Sequence, residues 1–177
     1  NVDDYFHLKE ENLRIHKMND SLLNLLPGNF VKVDTGSHVI TDSVTYDTTY
    51  LLRKYLAKEA KVVSNSINSQ KNYFQINRGA RQGIKDNMAV INSDGSVVGQ
   101  IVGVSDNFSQ AMSLLHVHST VSAMMKKSRN NGRIEWDGQS PFYLTLKNIP
   151  KSDSILVGDT VLTGINSYNY PPGWIIG

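Results

Sequence analysis

The chain of 177 residues has no cysteine. Disulfides and thiolate-held metals are excluded with it, and the redox compartment leaves no trace in the sequence. No apolar run approaches the roughly 18–20 residues that span a bilayer, and no signal-peptide pattern is present. No charge of one sign dominates: 18 Lys and Arg against 16 Asp and Glu leave a net charge of +2. Binding to a phosphate backbone needs concentrated basic charge, so nucleic acid is not an expected partner. The most basic stretch, Lys126-Lys127-Ser128-Arg129, reads as a solvated loop. Proline and glycine are missing from residues 1–26, which leaves a helix there uninterrupted. The chain opens on Asn1 directly into this helical sequence and reads as a fragment of a longer protein.

What is present is apolar material for a core, 40% of residues, with only 19% charged, outside the disordered range. In the first segment Leu8, Ile15 and Leu22 recur every seven residues, and Glu11, Met18 and Leu25 form the companion row. That is a heptad seam with one polar position, on a helix about 39 Å long at 1.5 Å per residue. Pro27-Gly28 ends it. The seam predicts self-association through Leu8, Ile15, Met18, Leu22 and Leu25, with a helix packed on its own domain as the alternative.

Beyond residue 30 the pattern becomes that of short strands. Phe30–Val33, Val39–Thr41 and Val44–Tyr46 are rich in Val and Thr, whereas 47–60 suits either a short helix or a strand. Lys61–Ser64 is the next strand, followed by a polar connection over 65–72. Further strands are expected at 88–92, 97–104, 111–117, 121–125, 133–136, 142–147, 155–157, 161–163 and 174–176. Asp94-Gly95 and Asp137-Gly138 mark turns between them. The fold class is mainly β: a coiled-coil helix over 1–26, a first small β-barrel domain over 30–120 and a second over 121–177. Strands are expected to be exchanged near the boundary.

The most informative stretch is Tyr73 to Ile84, read with Met88–Ile91 and Asp94–Gln100. Gly79 and Gly83 interrupt apolar runs where a chain turns sharp corners. The ordered blocks Ile76-Asn77-Arg78-Gly79, Gly83-Ile84, Met88–Ile91, Asp94-Gly95 and Val98-Gly99-Gln100-Ile101-Val102 come first. Ile149-Pro150, Val157-Gly158-Asp159-Thr160-Val161-Leu162-Thr163-Gly164, Pro172-Gly173 and Ile176-Gly177 follow. Together these resemble the extracytoplasmic part of the MreC family of bacterial cell-shape-determining proteins. The family motif has Thr-Ser-Gly or Ser-Ser-Gly where this chain has Thr163-Gly164, and its members continue with further strands, so the second barrel reads as incomplete.

The resemblance implies a non-catalytic scaffold without cofactor or metal, on the extracytoplasmic (periplasmic) face of the cytoplasmic membrane and anchored by an upstream transmembrane helix. It would self-associate and organise peptidoglycan elongation. The implied partners are a second copy, a penicillin-binding transpeptidase, MreD, and MreB across the membrane. It assigns structural roles to Ile76, Asn77, Gly79, Gly83, Ile84, Gly95, Gly99, Gly158, Asp159, Val161, Thr163, Gly164, Pro172 and Gly173.

Rival readings rest on thinner patterns. A β-barrel hydrolase acting at the cell wall would use Asp159, His116 or His118. Gly158-Asp159-Thr160-Val161 lacks the serine and second glycine of a chymotrypsin-like nucleophile motif, and Ser105-Asp106-Asn107 has no Ser-x-x-Lys or Lys-Thr-Gly beside it. His116 and His118 would share one strand face, half-exposed and opposite buried Leu115 and Val117. A carbohydrate-binding module would use Trp136, Phe142, Tyr143 or Trp174 as a platform, although core packing is the commoner use of such rings.

Overall fold

The computed structural model describes residues 55–177 continuously. Before them it describes 14–15, 17–19, 21–22, 24–25, and the backbone of Phe30–Lys32, Ser43–Tyr46 and Thr49–Arg53. Within 14–25 the described residues are helical up to Asn24, followed by a turn at Leu25. Leu8, Glu11 and the strand expected at Val39–Thr41 lie outside the described residues. Among the described residues no helix is long and apolar enough to cross a membrane.

By contacts the chain forms two units, Asn1–Glu59 and Ala60–Gly177. In the first, strands β1 (Phe30–Lys32), β2 (Ser43–Tyr46) and β3 (Thr49–Arg53) form an antiparallel sheet in the order β1-β3-β2. The ambiguous stretch 47–60 therefore contains a strand, and Tyr50, Leu51 and Leu52 lie in the ladder.

The second unit holds two antiparallel sheets. Strands β4 (Val62–Asn65), β5 (Lys71–Ile76), β6 (Ala89–Ile91), β7 (Val97–Val104) and β8 (Ser109–His116) form a five-stranded sheet in the order β4-β5-β8-β7-β6. Strands β9 (Thr120–Met125), β10 (Asn131–Glu135), β11 (Thr145–Lys147) and β12 (Val161–Thr163) form a four-stranded sheet in the order β11-β10-β9-β12. Inward and outward positions alternate most plainly along β5, where Asn72, Phe74 and Ile76 are buried, as a half-buried pleated surface requires.

Two apolar clusters fill this unit. Phe74, Ile76, Ile84, Ile101 and Ala111 form one, inside the five-stranded sheet. Val97 and Leu114 from that sheet join Val121, Ala123 and Ile134 from the other, together with Tyr170, in the second cluster. Full burial of each large aliphatic chain is worth about 1.5–3 kcal/mol, so the shared cluster ties the two sheets together. The C-terminal segment adds a backbone tie, because Val97 N–H donates to the Ile175 carbonyl at 2.9 Å.

Three strand expectations are corrected, the first at 174–176, where only Ile175 makes isolated bridges, to Ser96 and Leu162. Ile155–Val157 is a turn segment with all three side chains exposed, because the Leu156 N–H is taken by the Asp159 carboxylate at 2.9 Å instead of a neighbouring strand. Phe142 and Tyr143 precede the ladder of β11, which begins only at Thr145, and both are exposed.

Candidate interaction surfaces and the joint between the sheets

The glycine motif folds into a clamp. Gly79 has φ −142°, ordinary extended backbone, so conformation does not demand glycine there. Space does: a Cβ would lie 2.1 Å from the Ser105 carbonyl oxygen and 2.7 Å from the Asn107 nitrogen. The chain then makes a 3₁₀ turn over Ala80–Gln82 and closes it at Gly83, whose φ of 72° lies in the left-handed region that glycine adopts cheaply. Ala80 N–H donates to the Ser105 carbonyl at 2.8 Å and Arg81 N–H to that of Asp106 at 3.1 Å. The turn is thus bonded to the tip of the β7–β8 hairpin, and Ile84 is delivered into the core. Ile76 is buried at the end of β5, and Asn77 follows it with its side chain bonded to Lys61 N–H at 2.7 Å.

The remaining motif residues serve similar local ends. Gly95 (φ 80°) closes the β6–β7 turn, where Asn92 Oδ1 accepts the N–H groups of Asp94 and Ser96. Gly99 lets β7 approach β8, since a Cβ would lie 2.4 Å from the Met112 carbonyl oxygen. Asp159 caps the turn opened by Gly158. Val161 begins β12, and fully buried Thr163 donates its hydroxyl to the Pro171 carbonyl while accepting from Trp174 N–H at 2.8 Å. Gly164 sits where a Cβ would meet Ser122 Oγ at 2.5 Å, and Pro172-Gly173 turns the chain back so that Gly173 N–H reaches the Thr163 carbonyl. These residues are spread over both sheets and do not converge on one point.

The heptad residues among the described ones are exposed: Ile15 42%, Met18 50% and Leu22 59% on the helix, and Leu25 63% at the turn that follows it. These four large apolar side chains fall in the rows of the expected heptad seam.

The histidines depart from expectation. His116 is buried, 2% exposed, while Leu115 and Val117 are only half-buried. The pairing of β8 with β5 is irregular there, Lys71 facing His116 but Tyr73 facing Met112, and along this stretch the inward positions of β8 pass from Ser109 and Ala111 to Leu114 and His116. His116 Nδ1 accepts the His118 backbone N–H at 3.0 Å, and Nε2 lies 3.1 Å from the Tyr73 hydroxyl. An acceptor Nδ1 makes the ring neutral with its proton on Nε2. Burial, with His118 and Lys71 nearby, holds its pKa below the ordinary imidazole value. Both ring nitrogens are thereby engaged, and among the described residues no cluster of three or more His, Cys, Asp or Glu side chains could hold a metal ion.

Of the candidate carbohydrate platform, Trp136 is buried with Nε1 donating to the Ser140 carbonyl at 2.7 Å, and Trp174 packs partly buried against the shared cluster. Phe142 (84%) and Tyr143 (76%) are exposed.

Small antiparallel sheets with filled interiors and clamped glycine turns define a mainly β fold. Residues 62–177 match the family described as "Rod shape-determining protein MreC, barrel core", and the chain belongs to that family. Among solved structures it is similar to MreC from Pseudomonas aeruginosa (16% identity over 66% of this chain and 74% of that one, TM-score 0.59). It is also similar to MreC from Listeria monocytogenes (21% identity over 100% and 76%, TM-score 0.60). A third relative is the major periplasmic domain of the cell shape-determining filament MreC (21% identity over 67% and 75%, TM-score 0.51). At these identities the likeness to solved structures concerns the fold. No curated protein matches the chain.

Proposed function

We propose that this chain is a non-catalytic scaffold of the peptidoglycan elongation machinery. It self-associates through its N-terminal helix and positions or activates a penicillin-binding transpeptidase at the extracytoplasmic face of the cytoplasmic membrane. The observation that carries the reading is the exposed row Ile15, Met18, Leu22 and Leu25 on a helix whose heptad spacing matches a coiled-coil seam. Membership of a rod shape-determining family supports the cellular role, and a solved relative described as a periplasmic domain supports the location. MreD, and MreB across the membrane, are the further partners of this reading, with the membrane anchor upstream. The family motif residues from Ile76 to Gly173 act in it as folding residues that shape the surfaces.

The experiment is a pull-down of the extracytoplasmic domain of a transpeptidase by this chain, run beside assays for glycan and peptide turnover. Retention of the transpeptidase without turnover supports the scaffold. Turnover that disappears in His116→Ala contradicts it, as does retention on purified peptidoglycan alone that is lost in Phe142→Ala/Tyr143→Ala.

A further inference from the structure

The chain passes from the five-stranded to the four-stranded sheet through a corner of three residues, Val117, His118 and Ser119, between the end of β8 and the start of β9. Each of their backbone N–H groups is bonded in the structure. Val117 donates to the Gln70 carbonyl at 3.0 Å and Ser119 to the His116 carbonyl at 2.8 Å. His118 N–H donates to the His116 ring at Nδ1. The loop after β10 rests on the same corner, since a Cβ at Gly138 would stand 3.1 Å from Val117 Cγ1 and 3.8 Å from Gln70 Cγ. One bond of the corner therefore depends on an acceptor that a single proton abolishes.

We propose that His116 is a proton-operated latch, whose neutral ring closes the corner between the two sheets and whose protonation opens it. A proton on Nδ1 turns the acceptor into a donor facing the His118 N–H, so the hydrogen bond becomes a donor–donor contact. It also places a positive charge on a side chain that is 2% exposed. The ionisable groups that face the ring do not compensate it. Tyr73 lies across at 5.0 Å between ring centroids, edge-on, with its hydroxyl on Nε2. His118 lies at 5.5 Å, and Lys71 is the cross-strand neighbour of His116 on β5; both oppose a charge on His116. With no anion among the described residues acting on it, the charged ring is relieved by moving out of its site, which draws the corner open. The cluster of Val97, Leu114, Val121, Ala123, Ile134 and Tyr170 still holds the sheets together, and so does the Ser96–Ile175 bridge, so the opening is confined to the joint. The effector is the hydron itself, available to any domain outside the cytoplasm, and the response is a change in how firmly the second sheet is held against the first.

The test is site-resolved amide hydrogen exchange with NMR titration of the His116 ring, compared at about pH 7.5 and about pH 5, on either side of the ordinary imidazole pKa. After correction for the intrinsic pH dependence of exchange, protection of the His118 and Ser119 amides should fall by about tenfold or more at the lower pH. Such a fall corresponds to one unit of linkage. The Ile101 amide, bonded to the Met88 carbonyl in the sheet interior, should be unchanged and serves as the control. In His116→Asn, an Asx oxygen can accept the same N–H two residues on and has no proton to gain, so protection should become independent of pH. Equal protection of His118 and Ser119 at both pH values in the wild-type chain would overturn the latch, whether or not the Asn variant folds. So would a ring that titrates at the ordinary imidazole value.

Discussion

Asn77 and Lys61 exchange two hydrogen bonds: the Lys61 N–H donates to Asn77 Oδ1 at 2.7 Å, and the Asn77 N–H donates to the Lys61 carbonyl at 3.0 Å. The pair closes the entry to β4 against the exit of β5, just before the glycine clamp. A side-chain oxygen completes what the ladder leaves open at an exposed sheet edge. Asn77→Ala removes the side-chain bond and is expected to cost about 0.5–1.5 kcal/mol, whereas Asn77→Asp keeps the acceptor and should cost less. Urea denaturation of the three proteins measures the difference, and equal midpoints for Ala and wild type would refute the role.

Gly79 and Gly103 separate two reasons for a glycine. A Cβ at Gly79 would collide with backbone atoms of 105–107, while one at Gly103 would meet only Gln110 side-chain atoms at 3.9 Å or more. Gly79→Ala should therefore cost about 3 kcal/mol, the upper part of the overpacking range. Gly103→Ala should fall within about 1 kcal/mol of wild type, of either sign. Thermal unfolding of both variants checks the order, and a Gly103 cost as large as that of Gly79 would contradict the contact geometry.

Tyr170 is 5% exposed in the shared cluster, and burial pushes its phenol up to about 12. The raised value means that ionisation favours the unfolded chain. The stabilising effect is complete below the ordinary tyrosine pKa of about 10 and is lost as pH rises from there through about 12. Ultraviolet titration should show one tyrosine ionising late, together with loss of folded structure. Tyr170→Phe should remove that late step, and its persistence would assign it to another residue.

Much of the fold is legible in the residues, and the parts that are not share one cause. Asp94-Gly95 and the Gly79–Gly83 corner are local signals, and each appears where the residues lead one to expect it. Side-chain facing in β8 changes where its pairing with β5 is irregular, a property of two strands together, and so His116 reads as half-exposed when it is buried. Ile155-Leu156-Val157 has strand propensity but lacks a strand partner, because Asp159 occupies the backbone donor that pairing would need. The core shared by Val97, Leu114 and Tyr170 brings Tyr170 against residues more than 50 positions before it, a distance no window of sequence spans. The corner at His116–Ser119 was invisible for the same reason, although a histidine two residues before a second histidine at a strand end was a signal that pointed to it.

In the proposed function an apolar helical seam joins copies of this chain so that its β domains can present surfaces to partners. Mass in solution, measured by light scattering on the wild-type chain and on Ile15→Asp/Leu22→Asp, tests it most directly. A dimer or larger assembly is expected for the wild type and a monomer for the double variant, with unchanged β-sheet content by circular dichroism. A wild-type chain that is monomeric, or a double variant that assembles to the same mass, would contradict it.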